Sequence, residues 1–68
     1  MITEHVFEKL IWRKRPGFQS LYVYNGAEEY KFSVMKNSRE EKDGKIIFKL
    51  AEDNFVILDK GYEQTGLG

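Results

Sequence analysis

Ile2-Thr3-Glu4-His5-Val6-Phe7-Glu8-Lys9-Leu10-Ile11-Trp12 is the stretch whose reading decides the fold. Read with a period of 3.6, Ile2, Val6, Phe7, Leu10 and Ile11 form one apolar stripe of a short helix. Thr3 suits the cap of such a helix, and Glu4 the positive end of its dipole. Arg13, Lys14 and Arg15 suit the negative end, and Pro16-Gly17 stops the helix. Read with a period of 2, Val6, Leu10 and Trp12 share one face of a strand, and Arg15 to Phe18 make a turn. The helical reading fits more of the residues. It predicts an α+β fold, with a short N-terminal helix over residues 2–12 packed on a four-stranded antiparallel sheet of two hairpins. The strand reading gives the alternative, an all-β five-stranded small barrel.

The two hairpins follow from alternation. Leu21, Val23, Tyr30, Phe32 and Val34 flank Asn25-Gly26, the strongest short-range hairpin signal. A two-residue loop would pair Tyr24 with Ala27. A four-residue loop, Asn25 to Glu28, pairs Tyr24 with Glu29, Val23 with Tyr30 and Leu21 with Phe32. The second register gives better cross-strand pairs and is preferred. The opposite face then carries Phe18, Tyr22, Tyr24, Glu29, Lys31 and Met35. Residues 36–44 are a polar segment ending in Asp43-Gly44 and read as a mobile loop. In the second hairpin, residues 45–50 and 55–60, a four-residue loop places Ile46, Phe48, Leu50, Phe55 and Ile57 on one face. Ile47, Val56 and Leu58 then form a second apolar face. Residues 1–60 read as one small domain, and residues 61–68, with three glycines, as a flexible tail.

Size and composition narrow the function. A chain of 68 residues is one domain at most, and it buries only about 60% of its unfolded surface. It has no cysteine, so neither a disulfide nor a thiolate metal cage reinforces it. Its 11 basic and 11 acidic side chains cancel, which argues against a dedicated duplex-DNA binder. No apolar run has the length of a membrane span, and no signal-peptide pattern stands at the start. A cytoplasmic setting without membrane contact is expected.

The chemistry-bearing residues are sparse. His5 is the only histidine, and one imidazole makes no tight zinc site. Ser20, Ser33 and Ser38 lack a nucleophile elbow. Glu40, Glu41 and Asp43 cluster in a segment too exposed to separate their pKa values, and their spacing fails the calcium-loop pattern. No glycine pair forms a phosphate cradle. No catalytic residue, metal or cofactor is therefore expected, and the chain reads as a non-enzymatic module.

Two binding surfaces compete. A second apolar face on Ile47, Val56 and Leu58 needs cover, either from the protein itself or from outside. The first expectation is therefore docking on a protein partner or a second copy. Trp12, Arg15, Tyr22 and Tyr24 would join as contact residues, of types favoured at interface cores. The alternative is a small barrel that binds single-stranded nucleic acid. Arg13, Lys14, Arg15 and Lys31 would hold phosphates, and Tyr22 and Tyr24 would stack on bases.

Overall fold

The computed structural model describes residues 1–64 and contains no α-helix among them. The expected N-terminal helix is two strands, β1 (Thr3–Phe7) and β2 (Ile11–Lys14). The α+β reading is thus corrected to an all-β architecture. The reason lies in what the segment pairs with. β1 runs parallel to the C-terminal strand and exchanges backbone hydrogen bonds with it, and a helix of this length is marginal without such support. β-branched and aromatic residues (Thr3, Val6, Phe7, Ile11, Trp12) also favour the extended form. Lys9, at φ 59, turns the chain between the two strands. Its amide donates to the Asp59 carboxylate at 2.9 Å and fixes that turn.

Five more strands follow: β3 (Ser20–Asn25), β4 (Glu28–Ser33), β5 (Glu40–Lys42), β6 (Lys45–Lys49) and β7 (Asn54–Asp59). They form two sheets, β1-β7-β6-β5 and β2-β3-β4. A 3-10 turn over Lys60–Tyr62 closes the described chain.

The first hairpin has the preferred register, with Tyr24 opposite Glu29, Val23 opposite Tyr30 and Leu21 opposite Phe32. Pairing continues to Asn25 and Glu28, so the loop is Gly26-Ala27 in place of the expected four residues Asn25 to Glu28. Gly26 takes φ 62 at the first central position, where a II′ turn requires glycine. The polar segment 36–44 is not all loop. It contains β5, which turns into β6 through Asp43 and Gly44 at φ 51 and 75, the positive pair of a I′ turn.

The second long hairpin departs from expectation by one residue. Leu50 donates to the Asn54 carbonyl at 2.7 Å, which leaves three loop residues, Ala51 to Asp53, with Glu52 at φ 60. An odd loop reverses the face of every residue beyond it. Phe48 therefore faces Val56 and Ile46 faces Leu58 across the strands. Those four residues point inward, whereas Ile47, Phe55 and Ile57 point outward.

The inner faces of both sheets enclose one core of Trp12, Leu21, Val23, Val34, Ile46, Phe48, Val56 and Leu58, each at most 3% exposed. Phe7, Leu10, Phe32 and Leu50 pack at its margin. Trp12 joins the sheets. Its ring meets Phe48 edge-on at 5.7 Å, and its Nε1 donates to the Asp59 carbonyl at 2.8 Å. Its backbone bridges Glu63 and accepts from the Gln64 amide at 2.7 Å. Glu63 and Gln64 of the expected tail thus run beside β2 after the 3-10 turn, and residues 65–68 lie outside the described residues. At the opposite margin, Met35 donates to the Lys49 carbonyl at 2.7 Å and ties the end of β4 to β6.

Candidate functional site

The outer face of β2-β3-β4 follows from alternation. With Trp12, Leu21 and Val23 turned inward, Arg13, Tyr22 and Lys31 lie in one row across the three strands. Ile11, Tyr24 and Glu29 lie in the next row. The Lys31 ammonium sits 5.9 Å from the centre of the Tyr22 ring, and the Arg15 guanidinium 5.1 Å from that of Phe18. Such contacts hold cations over ring faces and leave their outer sides free for a ligand. Arg13, Arg15, Phe18, Ser20, Tyr22, Tyr24 and Glu29 line a shallow concavity of about 380 Å³. The Arg13 Nε is buried with no acceptor among the described residues.

Phe18 is also a wall of a second, larger concavity. It holds about 840 Å³ between the segments around residues 16–19 and 35–39. Phe48 and Met35 supply its apolar surface, and Lys14, Lys36, Arg39 and Glu63 its charges. Arg39 donates to both oxygens of Glu63 at 3.0 and 2.9 Å and lies 5.7 Å from the Trp12 ring centre. The Glu63 hydrogen bonds raise the Arg39 pKa above its ordinary value. Lys14 donates to the carbonyls of Arg15 and Phe18. Burial, and then the nearby positive charge of Arg39, lower the pKa of its ammonium. An anion beside the Lys14 ammonium would favour its charged form and so oppose both effects.

The two concavities share Phe18, and their linings are taken together as one band. Five cations, Arg13, Lys14, Arg15, Lys36 and Arg39, line it against two carboxylates, Glu29 and Glu63. Lys31 extends the band across the sheet. Among the described residues only Arg39 of these cations has a carboxylate within ion-pair distance. Nine of the 11 acidic side chains lie outside the band. The band's lining thus carries a formal charge of +3 in a chain of zero formal charge, with Glu41 near enough to Arg39 to act on it from outside the lining.

The residues singled out from sequence separate into three groups. Trp12, Val56 and Leu58 are 0% exposed and belong to the core. Ile47 is half-buried on the outer face of the four-stranded sheet. Arg13, Arg15, Tyr22, Tyr24 and Lys31 come together on or beside the outer face of the three-stranded sheet, and Lys14 reaches the adjoining concavity. Phe18, Lys36 and Arg39 complete the band, although their sequence context assigns them no site role. Phe18 is recognisable in the sequence only as a face-mate of the tyrosines. Lys36 and Arg39 fall in a polar segment whose position depends on the distant Met35–Lys49 link.

His5 lies on the inner face of β1 with its ring 5.6 Å from Phe32. Among the described residues no group of three or more His, Cys, Asp or Glu side chains converges to hold a metal ion. No helix among them is long and apolar enough to cross a membrane. The chain matches no protein-family model, no curated protein and no solved structure.

Proposed function

We propose that this protein binds single-stranded nucleic acid along the aromatic and basic band. The observation that carries this reading is the segregation of charge in a neutral chain: five lysines and arginines against two carboxylates, beside Phe18, Tyr22 and Tyr24. Phosphates are taken by Arg13, Arg15 and Lys31 on the sheet face and by Lys14, Lys36 and Arg39 in the groove. Each contact releases condensed counterions, and that release drives the affinity. Tyr22, Tyr24 and Phe18 offer rings to unstacked bases, a contact indifferent to base identity because every base has a π-face. Stacking on these rings needs unpaired bases, which a single strand offers and a duplex does not. The principal extents are 32 × 24 × 24 Å. A body of that size suits a site of roughly 4 nucleotides, the low end for small β-folds that hold single strands.

Docking through Ile47, Val56 and Leu58 as one surface is not retained, because Val56 and Leu58 are core residues. The test is titration of a fluorescent oligothymidine at low salt. Binding that weakens steeply with added salt, and is lost in Arg13→Glu/Arg15→Glu, supports the reading. Absence of binding at low salt overturns it.

A further inference from the structure

The outer face of the four-stranded sheet plays no part in that reading, and its residues form an ordered pattern. Val6, Ile57 and Ile47 stand side by side on β1, β7 and β6. Val6 is 52% exposed, and Ile47, Ile57 and Phe55 are each half-buried. The adjacent row reads Glu4, Phe55, Lys49 across the same strands. On the other side stand Asp59 and Lys45, paired at 2.9 Å, with Glu8 close enough to Lys45 to help raise its pKa. An apolar row three strands wide is thus flanked by acidic side chains at β1 and basic ones at β6.

This layout is self-complementary. A twofold axis lying along β7, in the plane between two stacked sheets, exchanges the β1 and β6 columns. Val6 of one copy then lies over Ile47 of the other, Ile57 and Phe55 meet their own counterparts, and Glu4 lies over Lys49. Glu8 approaches Lys45 in the same way. Two sheets can pack face to face at about 10 Å with nearly aligned strands, which suits this arrangement. A twofold interface uses the same patch on both copies, as this pattern requires.

We infer that the outer face of β1-β7-β6 binds a second copy of this chain, forming a twofold dimer of stacked sheets with Glu4 of each copy against Lys49 of the other. The basic bands then face away from the interface, and one dimer presents two of them to a strand.

Sedimentation equilibrium over a range of protein concentrations tests this. The wild-type chain is expected to dimerise. Glu4→Lys and Lys49→Glu each set like charges opposite and are expected to weaken dimerisation about tenfold or more. The double variant Glu4→Lys/Lys49→Glu restores the complementary pair and is expected to restore the dimer. Val6→Lys changes an already exposed side chain and is expected to abolish association while leaving the circular dichroism spectrum intact. A wild-type chain that stays monomeric at every concentration overturns the inference. So does a dimer insensitive to all four variants, which would place the contact elsewhere, such as the free edge of β1.

Discussion

The two outer faces of this small protein have opposite chemistry on similar frameworks. Each sheet turns its core aliphatic residues and Trp12 or Phe48 inward, and each leaves alternate positions to the outside. On β2-β3-β4 those positions hold Arg13, Tyr22, Tyr24 and Lys31. On β1-β7-β6 they hold Val6, Ile57 and Ile47 between Glu4 and Lys49. The first face concentrates one sign of charge around rings, a pattern suited to a polyanion of bases. The second balances its charges across an aliphatic row, a pattern suited to itself. The inner faces are determined by the need for a core, and the outer faces are what remains free to carry function.

Substitutions can break this contrast in graded ways. The largest effect is expected from Trp12→Ala or Phe48→Ala, which remove the rings that join the sheets. Each should cost about 3–5 kcal/mol, enough to unfold so small a domain, and thermal denaturation will read the loss of both surfaces together. A neighbouring pair sharpens the point. Val56→Ala opens a core cavity, whereas Ile57→Ala, one residue later on the outer face, should cost clearly less in the same melt. Equal costs would show that the outer face is buried at the concentration of the melt.

Effects on binding should be smaller and confined to one face. Tyr24→Ala is expected to weaken oligothymidine binding by about 1–3 kcal/mol, the worth of one stacked base, with little change in the melting temperature. Lys31→Ala is expected to lower the salt slope by roughly 0.7, one phosphate contact on a single strand. With an oligothymidine of about 4 nucleotides, too short to span two bands, Lys49→Glu on the other sheet should leave the slope unchanged.

The smallest effect concerns pH. The Lys45 ammonium and then the Lys9 amide hold the Asp59 carboxyl below its ordinary pKa of 3.8. A carboxyl depressed in the folded state adds stability that is present above that ordinary value and fades as pH falls through the lower, folded-state value. Asp59→Asn should therefore flatten the acid limb of the stability profile below about pH 4 and leave neutral-pH binding intact. An unchanged acid limb in a chemical-denaturation series would remove Asp59 from the account.

How legible each region is in the sequence depends on how far along the chain its partner lies. The register of β3 and β4 is readable because Asn25-Gly26 and the pairs Val23–Tyr30 and Leu21–Phe32 are local and agree with one another. The same agreement lets Tyr22, Tyr24 and Lys31 be grouped on one face from alternation alone. Residues 2–12 are not readable in this way, because their period is ambiguous and their partner, β7, lies about fifty residues away. The faces of β6 and β7 depend on a single loop residue. Three residues in place of four send Val56 and Leu58 to the core and Ile57 outward, and nothing local marks Glu52 as the residue with positive φ. Lys36 and Arg39 join the band only through tertiary closure, by the Met35–Lys49 hydrogen bond and the pairing of Arg39 with Glu63.

Binding of a single strand through its phosphates is the property on which the function of the basic and aromatic band rests. Fluorescence anisotropy of a labelled oligothymidine, recorded across a salt series, tests it most directly. Binding at low salt is expected, with a linear fall of log affinity with log salt and a slope of about −0.7 for each phosphate held. No binding at low salt, or an affinity indifferent to salt, would contradict it.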